Sequence, residues 1–284
     1  MEEHDVKVSF LSKEESACPA CGTVFHREEL LSGGGRLIAG ELTDELHRMY
    51  EPSAKYGEVY PLVYQATVCP ECWYAAIDKD FALLDEDLSF DVSQSRDERK
   101  AEVDLLFPNV DFYENRTLMA GAASQYLVLR CYDYFSKNFS PTIKQGIAAL
   151  RTAWLCEDLH KKTPAEHYDW VATLFKKKAQ YLYKKAVAYE QSGEEALSAT
   201  KNLGPDTDKN YGYEGVLYLM GLLSLKYGYN ASLEQRYASL EDIKRTIAKM
   251  FGLGKSSKNK PGPLLELAKD LYNRIKKELN EADD

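Results

Sequence analysis

Apolar positions along the chain change their period once, and the change separates two kinds of structure. Up to about residue 77 they come in short segments broken by turn signals. Segments 6–11, 36–42 and 62–68 have strand-like lengths, and the last, rich in β-branched and aromatic residues, runs straight into Cys69. Gly33-Gly34-Gly35 marks a flexible turn, and Pro61 precedes the third segment. Segment 43–50 fits a short helix as well as a strand.

From about Ala75 the spacing becomes helical. Residues 95–107 form a charged helix stopped by Pro108, and residues 112–135 a longer one. The small residues Ala120-Gly121-Ala122-Ala123 inside it admit the close approach of another helix. Ser140-Pro141 reads as an N-cap with proline at the first helical position, followed by a face of Ile143, Ile147, Leu150 and Trp154. Thr163, Pro164 and Glu166 fit a capping box. Val171, Phe175, Ala179, Leu182, Ala186 and Tyr189 continue that helix until Gly193. Helices over 211–227 and 232–251 follow, the first with Leu217, Met220, Leu223 and Tyr227 as its inner stripe. Residues 252–263 read as a loop, and Pro263 opens a last helix with Leu264, Ala268, Leu271 and Ile275 on one face.

These elements predict a mainly α protein. Its parts are a small N-terminal zinc-ribbon-like β module, residues 1–90, and an α-helical, TPR-like hairpin stack, residues 91–284. Long helices joined by short turns suggest antiparallel hairpins. A register of about 34 residues fits only loosely around Leu217 and Gly221, and no second copy matches, so a non-repeating bundle stands equally beside the repeat stack.

Charge sharpens the division. The 284 residues carry a net charge of −9. Residues 1–90 hold 7 Lys+Arg against 18 Asp+Glu, a local −11, and the remainder is nearly neutral. With 44% hydrophobic and 29% charged residues the composition is that of an ordinary globular protein. The beginning, Met1-Glu-Glu-His-Asp5, is acidic where a secretory signal is basic, and the strongest apolar stretch, 218–225, is too short to span a bilayer. The expected setting is therefore cytoplasmic, without membrane insertion, and six cysteines there need an explanation other than disulfides.

Four of them supply one. Cys18-Pro-Ala-Cys21-Gly and Cys69-Pro-Glu-Cys72 are two C-x-x-C turns separated by 47 residues. Two thiolates on one tight turn can bind a metal ion from one side, and a second turn completes a tetrahedron. The predicted metal ligands are Cys18, Cys21, Cys69 and Cys72. Zn2+ in a structural role is favoured, because it takes soft sulfur ligands and has no redox chemistry to guard. A rubredoxin-like iron site would use the same ligands. The separation exceeds that of a compact zinc signature and leaves room for a strand hairpin. Gly22 permits the positive φ such a turn needs. Trp73 stands at the equivalent place in the second turn, which predicts either a different geometry or a side chain that covers the site.

Other candidates read as structure. His26 is expected to pack rather than to be a further ligand, and Cys131 and Cys156 to be buried and inert. His160 and His167, near Asp158 and Glu166, read as a polar helix–helix connection rather than an acid–base pair. Lys176-Lys177-Lys178 and Lys184-Lys185 are placed on the outer face of one helix, and Lys255, Lys258 and Lys260 in a loop, as solvated surface. No phosphate-cradling loop, nucleophile elbow or metalloprotease helix occurs.

Taken together, the cysteine turns and helical pieces resemble the bacterial family known as domain of unknown function 2225. The resemblance rests on four stretches in order. They are Cys18-Pro-Ala-Cys21-Gly-Thr-Val-Phe25, Val63-Tyr-Gln-Ala-Thr-Val-Cys69-Pro-Glu-Cys72-Trp-Tyr-Ala75, Leu150-Arg-Thr-Ala-Trp154-Leu155 and Tyr218-Leu-Met-Gly-Leu222. It implies a bacterial cytoplasmic protein with a zinc-ribbon-type start, tetratricopeptide-like helices and the four cysteines as metal ligands, and it implies no activity. Trp73 departs from the glycine usual in the second turn, and Leu222 from a commoner acidic residue.

The expected function is a non-enzymatic scaffold or adaptor whose helical domain binds a protein partner, with some of the 20 tyrosines offering contact area. A nucleic-acid-associated zinc ribbon and an iron electron carrier are the alternatives. Nucleic acid is disfavoured because the −11 of the first module, with a tetrathiolate added, repels phosphate.

Overall fold

Two hairpins, each turning through one cysteine pair, frame the first part of the chain in the computed structural model, which describes residues 7–77, 79–228, 232–251 and 262–280. β1 (Ser9–Ala17) and β2 (Val24–Leu30) pair antiparallel, with Ala17 opposite Val24 and a register shift between Leu11 and Glu15. β5 (Ala66–Val68) and β6 (Ala75–Ile77) repeat the arrangement, with Val68 opposite Ala75. Between them β3 (Ile38–Leu42) and β4 (Arg48–Glu51) form a third antiparallel pair.

This part differs from the sequence expectation in several places: β1 runs on to Ala17, well past segment 6–11, and β2 has no counterpart among the expected strands. Segment 62–68 is not one strand: Pro61–Tyr64 is a 3-10 turn, and only Ala66–Val68 extends. Pro61 pre-sets the φ of that turn, and Leu62 and Val63 are apolar because they are buried, a cause periodicity cannot separate from a strand. Ala75 opens a strand rather than a helix, because the chain leaving Cys72 returns along β5. Segment 43–50 is a turn, with the Thr43 N–H donating to the His47 carbonyl at 2.9 Å, that leads into β4.

Helices make up most of the rest: α1 (Glu86–Gln94), α2 (Arg96–Leu106), α3 (Leu118–Cys131), α4 (Pro141–Lys162), α5 (Tyr168–Ser192), α6 (Gly212–Tyr227), α7 (Leu233–Phe251) and α8 (Gly262–Asn280). The protein is therefore mainly α with a small N-terminal β module, as its pattern predicts. From α3 to α8 each helix packs on its successor. No helix among the described residues is long and apolar enough to cross a membrane. The expected loop over 252–263 lies almost wholly outside the described residues.

Helix starts depart most from the sequence reading. α3 begins at Leu118, where the Thr117 hydroxyl accepts from the Ala120 N–H at 3.1 Å. Thr163 forms no capping box: its hydroxyl donates back to the Leu159 carbonyl, Pro164–Glu166 make one 3-10 turn, and α5 starts only after His167 at φ +55°. Ser140 does not cap α4 with its side chain either, since its hydroxyl donates to the Ala196 carbonyl at 2.7 Å. The buried carboxylate of Glu195 takes over, accepting from the Thr142 N–H at 3.0 Å and the Thr142 hydroxyl at 2.6 Å. An anion at a helix N-terminus satisfies orphan donors and the dipole together. α6 is buried nearly all round, from Gly215 and Val216 to Ser224, so its expected stripe is too narrow.

One continuous cluster of buried residues runs from Cys18 to Leu279. The hairpins join it through α3. A Cβ on Gly121 would lie 2.6 Å from Val63 Cγ2 and 2.9 Å from Val63 Cα. The small residues of α3 thus admit the 3-10 turn of the first module, where the pattern suggested a helix.

Candidate metal centre

The two cysteine turns are built alike. Gly22 N–H donates to the Cys18 carbonyl at 2.9 Å, and Trp73 N–H donates to the Cys69 carbonyl at the same distance. Each turn closes with a second bond, from Cys18 N–H to the Thr23 carbonyl and from Cys69 N–H to the Tyr74 carbonyl, both 2.9 Å. The closing residue is left-handed in both, Gly22 at φ +76° and Trp73 at φ +59°. Trp73 therefore does not change the geometry. It adopts the glycine conformation at a steric cost of roughly 1–2 kcal/mol. The indole offsets this by being buried edge-on against Phe112, with ring centroids 5.0 Å apart.

Facing each other, the turns bring Cys18, Cys21, Cys69 and Cys72 together, with all four Sγ atoms within 4.8 Å of one another. Cys18 and Cys72 lie 3.6 Å apart at sulfur, as do Cys21 and Cys69. A tetrahedron of Zn–S bonds of about 2.3 Å has sulfur–sulfur edges of about 3.8 Å. The spacing fits that cage, and it is far from the roughly 2.05 Å of a disulfide. All six cysteines are free, and of the four in the cluster only Cys21 is exposed. The cluster can hold a metal ion.

Charge at the cluster is unequally shared. The Cys18 and Cys72 thiols hydrogen-bond toward Cys69 and hold it far below the usual thiol range, with the N–H groups of Cys72 and Glu71 adding to the effect. Cys72 is pushed up, first by its hydrogen bond with Cys18 and then by that with Cys69 and by burial. Four thiolates around a dication leave a net double negative charge, and a buried cation waits beside it. Arg99, wholly buried on α2, donates to the Cys72 carbonyl at 2.6 Å and to Ser95 Oγ at 2.6 Å. Arg96, one turn back, and the adjacent Lys100 complete a clamp: Arg96 pairs with Glu71 at 2.5 Å, and Lys100 lies over the Trp73 ring at 5.3 Å. Sequence reasoning missed all three. The signal was their i, i+3, i+4 spacing on one face of a helix.

The other sequence candidates stay apart. His26 Nδ1 bonds to the Ser12 carbonyl at 2.9 Å, outside the sulfur cluster. His160 faces Asp169 at 3.5 Å, and Asp158 pairs with Lys161 at 2.7 Å. No second group of three or more metal-ligating side chains occurs among the described residues. Cys131 and Cys156 are fully buried in the core, and Cys131 Sγ accepts from the Ala75 N–H at 3.4 Å. Burial pushes both thiols up.

Lys176 corrects the expectation of an outer basic face. It points inward, 3.3 Å from the buried Glu45 carboxylate, and also pairs with Glu157. Glu45 further accepts from Trp154 Nε1 at 2.8 Å, Lys226 at 3.2 Å and the Tyr227 hydroxyl at 3.1 Å. Beside it His47 stacks on Trp154 at 4.2 Å and bonds to Asp206 at 2.5 Å. Residues 44–48, an undecided segment by pattern, are thus the plug that fixes the first module into the helices.

The family described as "Uncharacterized protein conserved in bacteria (DUF2225)" matches residues 11–275. An "Uncharacterized protein" of Borreliella burgdorferi (strain ATCC 35210 / DSM 4680 / CIP 102532 / B31) is 43% identical over 274 residues, which cover 96% of this chain and 98% of that one. No solved structure matches the chain.

Proposed function

The chain belongs to the conserved bacterial family DUF2225, and we propose that it works as a non-enzymatic scaffold in which a structural zinc ion locks two cysteine hairpins onto a TPR-like helical surface for a protein partner. The observation that supports it most is the closed four-sulfur cage. Cys18, Cys21, Cys69 and Cys72 would fill every position of a tetrahedral ion, leaving none for water or substrate, and a closed zinc site acts through folding. Free thiols in this number suit a reducing, cytoplasmic setting. The test is elemental analysis of purified protein together with Cys69→Ser. The expected result is a colourless protein with one equivalent of zinc. In Cys69→Ser that metal is lost, the first module unfolds, and most helical signal remains. Unchanged metal content and stability in the variant would overturn the ligand assignment, and a thiolate-to-iron absorption band would replace zinc by iron.

A further inference from the structure

The outer side of α5 carries a pattern that the metal cage does not explain. Trp170, Leu174, Lys177, Lys178, Tyr181 and Lys184 follow one another at steps that keep them on one side of the helix. Trp170 is 69% exposed, Tyr181 54% and Leu174 47%, an unusual run of large apolar side chains for one solvent-facing side. Trp170, Leu174 and Lys178 form one wall of a groove of about 460 Å3, and Tyr126, Leu129 and Arg130 of α3 line the wall opposite.

The two walls differ in charge. Arg130 is outweighed by Glu102 at 3.2 Å and by Glu98 and Asp133 at 3.4 Å, and Asp133 itself lines the groove. Lys177, Lys178 and Lys184 are exposed, and none of them is in an ion pair among the described residues. The groove therefore has an apolar floor, a net acidic α3 wall and the unpaired Lys178 on its α5 wall, with Lys177 and Lys184 beyond that rim on the same helix.

We propose that this groove docks an acidic, amphipathic segment of a partner protein, with its apolar side chains between α3 and α5 and its carboxylates against Lys177, Lys178 and Lys184. The proposal rests on the scaffold reading and names its surface. A concave apolar floor takes side chains, as helix-in-groove recognition does, and a flat bilayer surface does not follow it. A long polyanion would meet the repulsion of a chain with net charge −9, whereas a short acidic segment keeps its charge within about a Debye length (~8 Å) of the lysines.

The test is selection of random peptides displayed on phage against the full-length zinc-loaded protein, with synthesised winners titrated by fluorescence anisotropy. Winners should carry acidic residues beside aromatic or aliphatic ones. They should weaken as salt rises, and by about tenfold or more against Trp170→Ala and against Lys177→Glu/Lys178→Glu. All three positions are exposed, so unaltered circular dichroism and zinc content in both variants separate loss of docking from loss of fold. The proposal is overturned if no peptide is enriched, if winners are basic or bind the variants equally well, or if a single-stranded oligonucleotide or a phosphatidylglycerol vesicle binds more tightly than any winner. Self-association abolished by the same substitutions would equally replace it, by a second copy of this chain. Each of these outcomes leaves the metal reading intact, since zinc content and the Cys69→Ser phenotype are measured without a partner.

Discussion

At the scale of single residues, the second cysteine turn shows how two opposing terms are weighed. Trp73→Gly would relieve a left-handed conformation worth roughly 1–2 kcal/mol. It would also remove a buried indole from Phe112, a loss of about 3–5 kcal/mol for such truncations. The packing term is larger, so urea denaturation should find the variant about 2 kcal/mol less stable with its metal retained; a more stable variant would show that strain dominates. Arg99→Met should lose about 3–5 kcal/mol, because it strips a buried cation from the Cys72 carbonyl and Ser95. A loss below 1 kcal/mol in the same titration would mean that the clamp of α2 is not energetic. The four cysteines were legible in the sequence because their chemistry is tied to spacing. Arg99 was not, because an arginine inside a charged helix looks like surface until its burial is known. Lys176 was hidden in the same way by the two exposed lysines that follow it.

At the scale of elements, the helices were legible and their starts were not. Periodicity located α4, α5 and α8 because each buries a face, and faces repeat, whereas α2 was marked by its charge and Pro108 and α6 is buried nearly all round. Capping depends instead on which partner arrives from elsewhere. Ser140 and Thr163 have the right chemistry for N-caps, yet one hydroxyl bonds Ala196 and the other turns back to Leu159, while Glu195 supplies the cap from a distant loop. Segment 62–68 failed for a related reason, since a buried 3-10 turn and a buried strand select the same residues. The contact of α3 with that turn yields a prediction. Gly121→Ala would gain about 0.5–1 kcal/mol of helix propensity. Its methyl, however, would meet the Val63 backbone as well as its side chain, and overpacking of this kind costs about 1–3 kcal/mol. Thermal melting should therefore show a net loss of stability, with the cysteine hairpins separating from α3; a raised melting temperature would show that the turn can move away.

At the scale of the whole molecule, the plug of residues 44–48 couples the β module to the helices through buried charge. Burial alone would raise the Glu45 carboxyl, but Lys176, the Trp154 N–H and Lys226 overcome it and hold the group below its ordinary value of 4.5. Asp206 behaves likewise beside His47, below its ordinary 3.8. A depressed folded-state value means stability that is present in full above the ordinary value and lost as pH falls through the depressed one. Melting temperature should thus hold from pH 7 to about pH 5 and then decline with acidification. Glu45→Gln should be less stable at neutral pH and show a shallower decline, and an unchanged slope in that variant would remove Glu45 from the acid response. The same plug has a consequence for the order of events in synthesis. The cysteine cage is complete once residue 72 has been made, whereas the partners of Asp44 and Glu45 lie at Trp154, Lys176, Lys226 and Arg274. A chain emerging from its N-terminus can close the metal turns early, whereas Glu45 gains its first partners only with α4 and α5, and Asp44 its last only with α8. Docking of the plug is therefore completed in steps that follow the helices as they are translated.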